Sequence, residues 1–191
     1  MEPLHLAGLL LTGGTSRRMG ADKATLEFGG STLASRVAAA LREVAYPVLA
    51  VGPPAGTGLD AIGDPSEGPL VAFVAGADAL AARVPAGTPV LLVACDLPFV
   101  TADVLRGVAL AAPDADACVP VTDGRDQPLC ARYSQGAVAQ ARALVREGAR
   151  AMRDLLAAIG VSRVDVDARA LVDVDTPQEL DQARRILDGS A

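Results

Sequence analysis

Short, uninterrupted apolar runs alternate along this 191-residue chain with longer stretches of helical periodicity. The runs 4–11 (LHLAGLLL), 47–51 (PVLAV), 89–94 (PVLLVA) and 116–121 (DACVPV) predict buried strands, because each is brief, continuously apolar and bounded by Gly, Pro or Asp. Between them, segments 31–44, 68–84 and 101–112 predict amphipathic helices. That alternation predicts a mostly parallel sheet covered on both faces. Beyond residue 121 the pattern loosens. PLCARYS (128–134) predicts an added antiparallel strand, and 137–160 predicts one or two helices broken at Gly148. The last helix is marked most sharply: Thr176 can cap it, Pro177 suits its first turn, and Glu179 completes a capping box ahead of LDQARRIL. With no repeat, low-complexity tract or linker in the sequence, residues 1–191 are expected to form one domain.

Composition narrows the partners. With 51% hydrophobic and 21% charged residues the chain is globular, and a net charge of -6 excludes a general binder of nucleic acid or of anionic membranes, which needs spread basic surface. Any positive site must be local. Aromatic residues are only 3% and Trp is absent, so no stacking platform for single-stranded nucleic acid is expected. Cys95, Cys118 and Cys130 form no C-x-x-C pair, and the one histidine, His5, lies in an apolar run. A zinc site therefore lacks ligands at ligand spacing. His5 reads as a packed core residue and the cysteines as small buried groups of a reduced, cytoplasmic protein. The N-terminal stretch has no basic region ahead of its apolar run, and no apolar segment approaches a membrane span, so neither a signal peptide nor an anchor is expected.

In a doubly wound sheet the ligand crevice lies beyond the carboxyl ends of the strands. Four segments fall there: TGGTSRRMGADK (12–23), GDPSEGPL (63–70), CDLPF (95–99) and VDVDTPQEL (172–180). The first fits neither a Walker A loop nor G-x-G-x-x-G. Its bare backbone at Gly13 and Gly14 can bring amide N–H groups close to a ligand, and Arg17, Arg18 and Lys23 follow as cations, a combination suited to a polyphosphate. An ordinary strand-to-helix loop with solvated basic residues is the plainer reading. Lys23, however, is the only lysine against sixteen arginines. A compact ammonium kept in this loop points to a phosphate contact that a planar guanidinium would not replace. Asp96, just past a buried strand, can hold Mg²⁺ or can simply cap its turn. Asp175 is a second candidate for the metal, with neighbouring Asp173; Asp175 can equally serve the positive end of the following helix.

Taken in order, LTGGTSRRMGADK, GPL (68–70), CDLP (95–98), QPLCARY (127–133) and DTPQEL (175–180) resemble the motifs of the molybdenum cofactor guanylyltransferases, the MobA family of nucleotidyltransferases. The likeness spans nearly the whole chain. It implies a Rossmann-like three-layer α/β/α domain that uses GTP and Mg²⁺ to attach GMP to molybdopterin, with release of pyrophosphate. It further implies that Leu11, Thr12, Gly13 and Gly14 line the nucleotide site with Gly68, Pro69 and Leu70, that Lys23 meets the phosphates, Asp64 the nucleoside, and Asp96 the nucleotide through the metal. Lys23, Arg17 and Asp96 are then the candidates for catalysis, and Asp96 and Asp175 for the metal. The chain departs from the family pattern at Thr12, where Ala is usual, at AVGPPAG, where an Asn has no counterpart, and at DVDTP, where N-x-N-T-P is usual.

Such a reaction needs no acid or base of tuned pKa, because the phosphate monoester of molybdopterin is itself the nucleophile; alignment and charge cancellation suffice. Transient contact with cofactor-biosynthesis proteins or molybdoenzymes is an expected partnership. Related enzymes that make the cytosine dinucleotide carry L-A-A-G where this chain has LTGG, which favours GTP over CTP. Two alternatives stay open: a molybdenum cofactor cytidylyltransferase or other small-molecule nucleotidyltransferase, and a nucleotide-binding module without catalysis. Arg125, Asp126 and Gln127 could face the pterin or form a solvated hairpin tip.

Overall fold

The computed structural model describes residues 5–13 and 23–189. In chain order the strands are β1 (Ala7–Leu11), β2 (Glu27–Phe28), β3 (Ser31–Thr32), β4 (Val48–Val51), β5 (Asp60–Ile62), β6 (Val90–Ala94), β7 (Ala117–Thr122), β8 (Arg125–Asp126), β9 (Cys130–Tyr133) and β10 (Val161–Asp165). The helices are α1 (Leu33–Arg42), α2 (Pro69–Ala81), α3 (Ala102–Leu110), α4 (Gln135–Arg146), α5 (Met152–Leu156) and α6 (Pro177–Leu187). Among the described residues eight strands form one sheet in the order β10-β7-β9-β6-β1-β4-β5, with β8 paired to β7. β9 and β8 run against the rest, so the sheet is mostly parallel.

β1 and β6 lie at the centre and are buried along their whole length, which is why both read as unbroken apolar runs. Successive side chains alternate between two cores. Leu10, Leu91 and Val93 pack under α1 and α3, whereas Leu9, Leu49 and Leu92 pack under α2, α4 and α5. The expected three-layer α/β/α sandwich is therefore the observed one, and no helix among the described residues is long and apolar enough to cross a membrane. The four predicted strands, the antiparallel QPLCARY strand and the break at Gly148, where φ is +99°, are all present. Thr176, Pro177 and Glu179 cap α6 as read from the sequence.

Three expectations change. Residues 31 and 32 are not helical: Ser31–Thr32 pairs antiparallel with Glu27–Phe28 across Gly29 and Gly30, both at positive φ, and α1 starts only at Leu33 with Thr32 as its N-cap. The edge strand β10 was not expected, because its VSRVD alternation is only half-buried. His5 is exposed rather than packed, since it precedes β1 and the buried run begins at Leu6. The three cysteines are buried and form no disulfide, and burial pushes the Cys130 thiol up to about 12. Arg132, 3% exposed on β9, directs its guanidinium to the carbonyls of Ala112 and Ala115 beyond the C-terminal end of α3, which suits a cation there.

Candidate active site

The parallel register brings the ends of the central strands to one level. Leu11 is paired with Val51 on one side and with Ala94 on the other, so Thr12, Gly52 and Cys95 leave the sheet together. The amides of Thr12 and Gly13 both donate to the Val51 carbonyl, at 2.9 and 3.0 Å, and the Thr12 hydroxyl donates to the same oxygen at 3.2 Å. Thr12, at the place where the family pattern has Ala, thus spends its hydroxyl on the fold. Gly52, at φ +118°, lies so close to the Gly13 backbone that a Cβ there would overlap it, and a Cβ on Gly13 would overlap the Asp64 carboxylate. Bare backbone at both positions is what allows the loops after β1, β4 and β5 to meet. Asp64 is held in place by accepting the Ser66 amide at 2.9 Å, an Asx turn. Gly52 was not singled out from the sequence; the Gly that ends the AVG run was the available signal.

On the other side of β1 lies a charged cluster. Lys23 opens a single 3-10 turn, Lys23–Thr25, and its ammonium donates to Asp175 Oδ1 and, at 3.4 Å, to Asp96 Oδ2. Asp96 follows β6, and its backbone carbonyl accepts the Val174 amide at 3.0 Å, which ties the segment before α6 to the end of the central strand. Asp175 is fixed by the capping box: its own amide and that of Thr176 donate to Glu179 Oε2 at 2.7 and 2.8 Å. Residues 73 and 152 positions from Lys23 therefore converge on one ammonium. Burial raises the Asp96 carboxyl above the ordinary aspartate range, and the attraction of Lys23 offsets this only in part. Burial works against the Lys23 charge as well. The hydrogen bond to Asp175 and the field of the two carboxylates outweigh it, so Lys23 stays protonated above its usual pKa.

The GPL segment has a different task. Gly68 adopts φ +107°, where a Cβ would press on the Arg150 carbonyl, and the same carbonyl accepts the Leu70 amide at 3.1 Å. The Leu70 side chain is fully buried against the sheet, and Pro69 takes the first position of α2 with its ring exposed. Gly68 and Pro69 thus stand at the entry of α2, while Leu70 is committed to the core. Leu11 is also buried, with its carbonyl accepting the Cys95 amide at 3.0 Å. Gly14, Arg17 and Arg18 lie outside the described residues. Asp173 is exposed and adds negative potential at Asp96.

The site thus has two halves, a glycine-lined junction with Asp64 and a lysine held between two aspartates, on either side of β1. The model of the MobA-like NTP transferase domain matches residues 8–168. The chain is 32% identical to a probable molybdenum cofactor guanylyltransferase of Pelotomaculum thermopropionicum, over 98% of this chain and 96% of that protein. It is 36% identical to one of Mycobacterium tuberculosis, over 92% of this chain and 91% of that protein. In structure it resembles molybdopterin-guanine dinucleotide biosynthesis protein A from Archaeoglobus fulgidus, with a TM-score of 0.77, 22% identity and coverage of 96% and 99% of the two chains. The chain belongs to the MobA-like NTP transferase family and is a nucleotidyltransferase.

Proposed function

We propose that this nucleotidyltransferase moves GMP from GTP to molybdopterin and releases pyrophosphate. The observation that carries the reading is the convergence of Lys23, Asp96 and Asp175 at the carboxyl edge of the sheet, beside a junction with room for backbone but not for a side chain at Gly13. The names of the two curated relatives support GTP and molybdopterin as the substrates.

The donor set fits Mg²⁺. Two carboxylates from separate segments point at one cationic centre, and this ion takes one or two carboxylates, completing its shell with phosphate oxygens and water. Asp96 would hold the ion with Asp175, and when bound it supplies charge against the phosphates. Lys23 then turns its ammonium from the carboxylates to the phosphate oxygens. In the reaction a phosphate oxygen of molybdopterin forms a bond to the α-phosphorus of GTP, the bond to the bridging oxygen breaks, and the electron pair leaves with pyrophosphate. Lys23 balances the charge growing on that leaving group, and Asp96 would act on the triphosphate only through the ion it holds. Asp64, whose carboxylate lies beside the Gly13 backbone, is the group that would meet the nucleoside.

Pyrophosphate release measured with molybdopterin and Mg²⁺ in the presence of GTP or CTP tests the assignment. GTP is expected to be the substrate by at least about tenfold, as for a site that hydrogen-bonds one base edge. A preference for CTP would make the protein a cytidylyltransferase, and GTP binding without product would leave it a binding module.

A further inference from the structure

We propose that Arg36 is a positioning residue of the transfer centre, holding the turn that carries Asp96 in register with the segment that carries Lys23. The inference rests on the reading of Lys23 and Asp96 given above. Arg36 lies in the first turn of α1, half-buried, and donates from Nε to the Pro98 carbonyl at 2.6 Å. Its guanidinium carbon stands 5.5 Å from the centroid of the Phe28 ring. None of the ion pairs among the described residues includes it.

Both contacts lead to the cluster. Pro98 is two residues past Asp96, and Phe28 is five past Lys23. Phe28 meets Phe99 edge to face, with centroids 5.6 Å apart and rings at 89°. The turn 96–99 is therefore held at three points: the Asp96 carbonyl by the Val174 amide, the Pro98 carbonyl by Arg36, and the Phe99 ring by Phe28. Two of the three pass through the Arg36–Phe28 pair. A charge-assisted hydrogen bond to a carbonyl is stronger and shorter than a neutral one, and stacking on an aromatic face fixes the plane of the guanidinium. One side chain thus sets the distance between a strand-end carboxylate and a lysine that no common strand or helix connects. Loss of the donor lets the turn relax, and displacement of a reacting group by about 1 Å costs on the order of a hundredfold in rate.

Arg36→Met keeps a stem over Phe28 and removes the donor; Arg36→Lys restores one charged donor without the planar fork. Mn²⁺ binding with GTP, read by electron paramagnetic resonance, and kcat and KM for pyrophosphate release from GTP with molybdopterin test the role, with thermal midpoints as control. Support for outer ligands typically counts for about 10- to 100-fold. Arg36→Met is expected to weaken Mn²⁺ about tenfold and lower kcat comparably with KM for GTP little changed, and Arg36→Lys to recover part of both. Wild-type Mn²⁺ affinity and kcat in Arg36→Met would overturn the proposal, as would losses in both variants that follow the thermal midpoint alone. Asp96→Asn separates this from the reading beneath it. Wild-type Mn²⁺ affinity in that variant overturns the metal role of Asp96, and kcat of the Arg36 variants then decides whether Arg36 positions the turn.

Discussion

Two kinds of apolar packing meet in this molecule. The layers on either face of the sheet draw on β1, β4, β6 and the helices packed against them, through side chains such as Leu9, Leu49 and Leu92 on one face and Leu10, Leu91 and Val93 on the other. The small cluster below the charged site draws on Phe28, Leu33, Val174, Leu180 and Ala183, with Phe99 packed against it. The large layers join neighbours in the sheet, and one of them also takes in Ala24, Cys95 and Leu97 from the loops beside the charged site. The small cluster joins three distant segments, each of which bears one member of the Lys23–Asp96–Asp175 set within a few residues of its contribution. Most of the buried apolar residues thus belong to the large layers, while the small cluster ties the three segments of the site to one another.

Substitutions should divide along that line. Leu92→Ala, at a fully buried position of β6, should cost about 2–5 kcal/mol in urea unfolding. Whatever remains folded should turn over at nearly the wild-type rate. Val174→Ala removes two methyl groups from the small cluster and should cost about 1–2 kcal/mol by the same measurement. Its kcat should nevertheless fall about tenfold, because the Val174 segment anchors the Asp96 carbonyl and leads directly into Asp175. Equal proportions of stability and activity lost in the two variants would erase the distinction. The smallest effect belongs to neither region. Arg163 on β10 makes a two-pronged contact with Asp126, at 2.7 and 2.9 Å, and that hydrogen bond holds the Asp126 carboxyl below its ordinary value of 3.8. The lowered folded-state pKa means that the pair stabilises above the ordinary value and that this contribution is lost as pH falls through the depressed one. Arg163→Met should therefore lower the thermal midpoint slightly at neutral pH, with the gap closing in acid.

The contrast also explains what could be read from the chain. Central strands buried on both faces leave unbroken apolar runs, and the α6 cap has a local code in Thr176, Pro177 and Glu179, so both were legible. The loops at the carboxyl ends of the strands could be found because topology alone directs attention there. β10 was missed because a half-exposed edge strand with Arg163 at its middle has no apolar run. The β2–β3 hairpin did have a signal, the Gly29–Gly30 pair, which the helical composition of the following residues masked. The small cluster had little. Phe28 reads as packing around the glycine loop, but it lies in the two-residue β2. Phe99 lies in the short LPFV stretch and Val174 between two aspartates, and only the folded chain shows that all of them touch the same neighbours. Arg36 is hidden for the same reason, since in the helical pattern it is one more polar position on α1.

The central claim is that one ammonium held between two aspartates forms the transfer centre. Pyrophosphate release from GTP at saturating Mg²⁺ and molybdopterin, compared between wild type, Lys23→Ala and Asp96→Asn, tests it most directly. The account predicts a fall of about a hundredfold or more in both variants while each keeps a thermal midpoint close to that of wild type, as expected when a preorganised charge is removed from a folded site. Wild-type turnover in either variant would contradict it.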